Sequence, residues 1–341
     1  MLPVRVRVQD CPEDCILAED VFNPLGTLLL RKNTIIDSYV KCKLFSHNIH
    51  SVLISPSIKN EKDKGIILQA TCMYQVKKII SSLVAGKPLK SNDLEQLSQN
   101  IFQISFKMEY IQGYLKRLKQ SDDYTYTHSL NVGFYAMLLA EWLKLPSDKV
   151  KRCIKAGVLH DVGKIKISYS ILTKKGKLTK AETEKIKNHS LYGYEMLHHE
   201  NKVDEDVKKA VLLHHERNDG SGYPYGINYQ ELNDIEQIIA IADVYDAMTS
   251  DRVYKKGKTP FEAFEELITL CRGPLNEDML NTFVHRLAPY YTGIKVLLNN
   301  GTIADVIYVP PHNISKPIIK YNSIYRDLSI YRKDWIEKVI F

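Results

Sequence analysis

The chain has 341 residues, 44% hydrophobic and 26% charged, which excludes a disordered or fibrous protein and leaves room for more than one domain with a sizeable core. Lys+Arg 47 against Asp+Glu 40 gives a net charge of +7, spread along the whole chain. Basic blocks such as Lys174-Lys175-Gly176-Lys177 read as solvated surface and no RNA- or DNA-binding motif is present, so a small anionic ligand fits better than a nucleic-acid polymer.

Taken in chain order, the N-terminus Met1-Leu2-Pro3-Val4-Arg5-Val6-Arg7-Val8 alternates like a strand and lacks a signal-peptide core. Asn23-Pro24-Leu25-Gly26 predicts a turn between strands over 16–22 and 27–30. A short helix over Ser38–Ser46 and a strand at Ser51-Val52-Leu53-Ile54 complete a small β-containing unit, residues 1–60. Residues 61–120 are helix-like and polar, broken at Gly86-Lys87-Pro88 and restarting at Ser91-Asn92-Asp93-Leu94-Glu95; they predict a helical linker. Over 121–285 the apolar spacing is helical, with Leu130, Phe134, Met137 and Leu138 before Pro146 and Ile154, Val158 and Leu159 before His160. The tail, 286–341, predicts a strand from Gly293, an Asn300-Gly301 turn, a second strand over 303–309, a further strand over 316–320 and a short C-terminal helix. The fold class is therefore mainly α: a helical bundle with a small N-terminal β-containing domain and a small C-terminal β hairpin appendage. No run approaches the roughly 20 apolar residues of a membrane helix, and a cytoplasmic protein is expected. Six scattered cysteines read as free thiols; Cys11 and Cys15 have ligand-like spacing but no second pair to join.

The helical region holds seven strong ligand candidates: His128, His160, Asp161, His189, His214, His215 and Asp243. Their separations of 32, 28, 25 and 28 residues each fit about one helix plus a connection, so a bundle can project them into one interior. Imidazole and carboxylate together suit divalent transition ions. Asp161 has two oxygens and can bridge two ions, and Lys164, near His160 and Asp161, is placed for a phosphate oxygen. His198, His199, His285 and His312 read as surface residues.

These residues carry a resemblance. His160-Asp161-Val162-Gly163-Lys164 looks like the signature of the HD phosphohydrolase superfamily, and His214-His215-Glu216-Arg217-Asn218-Asp219-Gly220-Ser221-Gly222-Tyr223-Pro224 matches the long motif of its HD-GYP subgroup. Tyr126-Thr127-His128-Ser129-Leu130-Asn131-Val132 resembles the family's first ligand helix and Ile241-Ala242-Asp243-Val244-Tyr245-Asp246 its last. The resemblance covers about residues 121–275 and implies an HD-type bundle that hydrolyses cyclic di-GMP, a bacterial second messenger. It implies that His128, His160, Asp161 and Asp243 hold one ion and that Asp161, His189, His214 and His215 hold the second, with Asp161 bridging. Lys164, Arg252 and Lys255 match phosphate-contacting positions, and Tyr223 lies in the signature turn near the site. The family's third-metal Glu is replaced by Tyr124, so two ions are expected, iron first, with Mn, Zn, Co or Ni also compatible. Ser190 and Val253 replace frequent prolines, the former read as a loop detail.

The implied chemistry is attack by a hydroxide bridging two metal ions, with Asp161 and Lys164 as catalytic residues, giving linear pGpG with a second cut to GMP left open. Two other readings stay open: a non-catalytic cyclic dinucleotide receptor, and a hydrolase of another cyclic dinucleotide such as cyclic GMP-AMP. The polar helical linker permits a homodimer.

Overall fold

The computed structural model describes residues 3–12, 15–23, 26–55, 61–90, 92–104, 108–118, 124–174, 176–228, 231–251, 256–270, 273–331 and 333–340. The N-terminal strands are β1 (Val4–Arg7), β2 (Cys15–Leu17), β3 (Val21–Phe22), β4 (Leu28–Leu30), β5 (Ile35–Ile36) and, after helix α1 (Ser38–Ser46), β6 (Ser51–Ser55). They form an antiparallel sheet in the order β1-β6-β2-β5 and a separate β3-β4 pair. Alternation decides which faces are inside: Val4, Val6, Leu17, Val52 and Ile54 are buried together with Val40 and Leu44 of α1. Asp37 starts α1 by accepting the Val40 amide at 2.8 Å. Cys11 and Cys15 are buried in this unit, and among the described residues no further ligands join them in a group able to hold a metal ion.

The helices follow as α2 (Glu61–Val84), α3 (Asp93–Phe102), α4 (Met108–Leu118), α5 (Tyr124–Trp142), α6 (Ser147–Leu159), α7 (Tyr169–Leu172), α8 (Lys180–Lys187), α9 (His189–His198), α10 (Glu205–Leu213), α11 (Asp234–Thr249), α12 (Pro260–Leu270) and α13 (Glu277–Leu287). The segment 61–120, expected as a linker, is part of the main core. Val76, Ile79 and Ile80 of α2, Leu94, Leu97 and Ile101 of α3, and Ile111 and Tyr114 of α4 are buried in one hydrophobic cluster with α5 and α6. Ile67, near the start of α2, is buried with the N-terminal sheet instead, so this helix joins both bodies. Ion pairs reinforce the docking: Lys155 of α6 meets Glu95 of α3 at 2.9 Å and Asp204 at 3.3 Å.

Helix α5 is the axis of the bundle. Every residue over 127–140 is buried, so the helix is surrounded rather than amphipathic. Helix α6 crosses it where Gly157 meets Gly133: a Cβ on Gly157 would lie 2.7 Å from the Gly133 Cα. Any larger residue would push α6 away and carry its C-terminal end with it.

The tail is a five-stranded antiparallel sheet rather than a hairpin: β7 (Lys295–Leu298), β8 (Ile303–Tyr308), β9 (Ile318–Tyr321), β10 (Ile324–Asp327) and β11 (Ile336–Ile340), in the order β10-β9-β8-β7-β11. The expected Asn300-Gly301 turn joins β7 to β8, with Gly301 at φ +82°. The expected C-terminal helix is instead strand β11, paired with β7. Ile336, Val339 and Ile340 are β-branched and pay less conformational cost in a pleated sheet than in a helix; Ile336 and Val339 are also buried there. Val296, Val306, Ile319 and Val339 share the helical core, so one face of this sheet is packed on the bundle.

Candidate metal centre

Most of the candidate ligands sit at helix ends. His160 caps the C-terminus of α6, and Asp161 leads into a 3-10 turn over Val162–Lys166. His189 opens α9, while His214 caps α10 and His215 follows it. Only His128 on α5 and Asp243 on α11 project from helix interiors. Helix α11 is fixed at its start by a capping box in which Asn233 and Glu236 satisfy each other's backbone donors.

All seven candidates converge. The Nε2 atoms of His128 and His160 are 3.2 Å apart, and that of His128 lies 3.2 Å from Asp243 Oδ1. The Nε2 atoms of His189 and His214 are 3.3 Å apart, and the His189 and His215 rings meet at 4.9 Å. Asp161 lies between the two groups. Its Oδ2 is 3.4 Å from the Nε2 of both His128 and His160, and its Oδ1 is 3.4 Å from His189 Nε2. Three sets have ligand atoms close enough to hold a metal ion: His128, His160 and Asp243; His189, His214 and His215; and His160, Asp161 and His214.

The donor chemistry fits a cation. Asp161 Oδ1 is buried with no hydrogen-bond donor among the described residues, an arrangement that costs free energy unless something positive meets it. Burial opposes ionisation of Asp161, yet the neighbouring His160 and Lys164 hold its carboxyl well below the usual range. Asp243 behaves alike: burial pushes up, and the hydrogen bond from His128 and the charge of His160 prevail. Burial pushes His189 and His214 down, and His215 down to about 3, so these imidazoles are neutral at pH 7 with lone pairs available. His128 goes the other way: burial disfavours its charge, but hydrogen bonds to Asp161, Asp243 and Asp246 carry it well above its ordinary value. Its proton occupies a position that a bound cation would take over.

The outer atoms of the rings are fixed. Nδ1 of His160, His189 and His214 donates to the carbonyls of Gly157, Ile186 and Val211 at 2.8, 2.7 and 2.8 Å. Those bonds fix the rings and turn Nε2 inward. The 3-10 turn can approach α9 because Gly163 faces Gly193, and this contact places Asp161 against His189.

Around the centre, Lys164 Nζ pairs with Asp161 Oδ2 at 2.5 Å and is a third exposed. The Tyr223 ring stacks on His215 at 4.6 Å, with Lys187 Nζ 5.6 Å from its centroid. Arg252, Lys255 and Val253 lie outside the described residues, as does the side chain of Tyr124. Ser190 is not in a loop: it is the buried second residue of α9, donating to the Lys187 carbonyl at 3.2 Å. His198, His199, His285 and His312 are exposed, as expected.

Supporting residues were less legible in the sequence. Asp246 accepts from His128, with Asn131 one turn along α5 holding its other oxygen. The only local signal is that 243 and 246, like 128 and 131, are three apart and share a helix face. Glu216 is buried inside the signature loop and accepts from the amides of Tyr225 (2.7 Å), Gly226 (3.2 Å) and Ile227 (3.1 Å). Glu216→Ala removes three acceptor contacts, and the loss should be about 1–3 kcal/mol in stability. Hydrogen exchange is expected to speed up at least about tenfold at those three amides; wild-type protection there would show that the loop is held by something else.

The sequence pattern of the HD domain family matches residues 111–270. A Pseudomonas aeruginosa protein named cyclic di-GMP phosphodiesterase PA4108 is 37% identical over 206 residues, 60% of this chain and 50% of that protein. A Vibrio cholerae protein named 3'3'-cGAMP-specific phosphodiesterase 3 is 31% identical over 175 residues, 49% of this chain and 38% of that one. The chain thus spans half or less of these relatives. Among solved structures, Bd1817, an HDG"Y"P protein from Bdellovibrio bacteriovorus, superposes with a TM-score of 0.61 at 15% identity, covering 83% of this chain and 98% of that one. Residues 111–270 of this chain thus match the HD domain family, and residues 214–224 within them resemble the HD-GYP signature.

Proposed function

We propose that this protein is a metal-dependent phosphodiesterase that opens cyclic di-GMP to linear pGpG. The observation that carries this reading is Asp161, whose two oxygens face two separate groups of imidazoles. In this reading His128, His160, Asp161 and Asp243 would hold one divalent ion, and Asp161, His189, His214 and His215 would hold the other. With both ions bound, the centre supplies an activated water at neutral pH and offsets the phosphoryl charge. Lys164, released from Asp161, is placed to hold a phosphate oxygen, and Arg252 and Lys255 are added to it from the sequence resemblance alone. Tyr223, stacked on the His215 ring, would offer the substrate an aromatic surface beside the centre. Iron is the first candidate metal, with Mn, Zn, Co and Ni compatible with the same donors.

A second substrate, 3'3'-cyclic GMP-AMP, is favoured by the Vibrio relatives named for it. Among the described residues no helix is long and apolar enough to cross a membrane. The test is elemental analysis of freshly purified protein, coupled to chromatography of products from a panel of cyclic dinucleotides. Two ions per chain and conversion of cyclic di-GMP to pGpG are expected, and any GMP appears in the same chromatogram. Tight binding of cyclic di-GMP by metal-loaded protein, with no linear product over hours, would replace the enzyme by a receptor.

A further inference from the structure

The tied imidazoles differ in what they are tied to. His160, His189 and His214 donate to neutral backbone carbonyls, whereas His128 Nδ1 meets the Asp246 carboxylate at 2.7 Å. Asp246 is buried and cannot turn away: Asn131 Nδ2 donates to its Oδ1 at 2.8 Å and Ser250 Oγ to its Oδ2 at 3.0 Å. It belongs to none of the three groups of ligating atoms, so it acts through His128. A carboxylate behind an imidazole shares its proton, raises electron density on the opposite nitrogen and fixes the ring. The surrounding charge is uneven in the same sense. Asp243 is in contact with the His128 group, 3.2 Å from His128 Nε2, whereas the His189 group is made of three imidazoles, meets Asp161 at 3.4 Å, and feels the charge of Asp243 at His214 and His215. The Lys164 ammonium on Asp161 Oδ2 opposes this, but it is a third exposed, and among the described residues no lysine or arginine pairs with Asp246.

We propose that Asp246 makes the two metal positions unequal: the position formed by His128, His160 and Asp243 binds its ion first and more tightly than the position formed by His189, His214 and His215. Asp246 is a positioning residue in this scheme. The proposal rests on the two-ion reading above and adds an order of loading to it.

The experiment is a titration of chelator-stripped full-length protein with Co²⁺, followed by cobalt visible absorption and by equilibrium dialysis with elemental analysis. Wild type should bind two equivalents, the first at least about tenfold tighter than the second. Asp246→Asn should weaken the first equivalent by about 10–100-fold and leave the second within about twofold, so that the two steps merge. Ser250→Ala, a milder change that frees one side of the carboxylate, should move the first step in the same direction by a few-fold; it carries the test if Asp246→Asn does not fold. His215→Ala should lose the weaker equivalent and keep the tighter, which assigns each step to its position. Two equal steps in wild type, an unchanged first step in both Asp246→Asn and Ser250→Ala, or loss of the tighter step in His215→Ala would overturn the proposal while leaving a two-ion enzyme intact. Wild type that binds no cobalt at all would overturn the two-ion reading itself.

Discussion

Asp161→Ala is expected to strip both ions and to lower cyclic dinucleotide turnover by at least about a thousandfold, the equivalent of the roughly 4 kcal/mol or more that a metal centre contributes to such a barrier. The reason is positional. Among the described residues Asp161 is the one side chain whose two oxygens reach both groups, Oδ2 toward His128 and His160 and Oδ1 toward His189. Asp243 makes its close contacts with the first group, with Oδ1 3.2 Å from His128 Nε2 and 3.7 Å from His160 Nε2. Asp243→Asn should therefore lose one ion of the two where Asp161→Ala loses both. Elemental analysis of the two variants beside wild type, with product chromatography, makes the comparison. Asp161→Ala protein that keeps both ions and full turnover would remove the bridging arrangement and the hydrolase reading with it.

The candidate ligands themselves were legible because few side chains bind cations and these recur at helix-plus-connection spacing. What holds them was not. The burial of α3 against α6 depends on Leu94, Leu97 and Ile101, spaced along one face, meeting apolar residues about 50 positions away. Locally the same stretch is polar enough to pass for a linker, and its Glu95, 43% exposed, also pairs with Lys155 across the interface. Strand β11 illustrates the same limit. Its residues accept a strand or a helix in isolation, and the unpaired edge of β7 decides between them. Asp246 and Glu216 were visible as letters within the motifs. Their work depends on which ring nitrogen or which amide stands opposite, and only the fold supplies that.

Gly163→Ala should be nearly as damaging as loss of a ligand, although Gly163 binds nothing. A Cβ there would lie 2.0 Å from the His189 carbonyl oxygen and 2.4 Å from the Gly193 amide nitrogen. Both are backbone atoms, so no side chain can rotate aside, and the 3-10 turn over Val162–Lys166 must lift from α9. Overpacking of this kind costs about 3 kcal/mol or more, which lowers the melting temperature by roughly 5 °C or more in a chain of this size. The lifting also draws Asp161 away from His189, so the position formed by His189, His214 and His215 should lose its ion. Gly193→Ala provides the contrast: its nearest obstacle is the Val211 Cγ1 methyl at 2.8 Å, which can shift, so a smaller loss is expected. Thermal melts and metal content of the two variants check this ranking. Gly163→Ala protein with wild-type melting and two bound ions would show that the close approach of the turn to α9 does not hold the centre together.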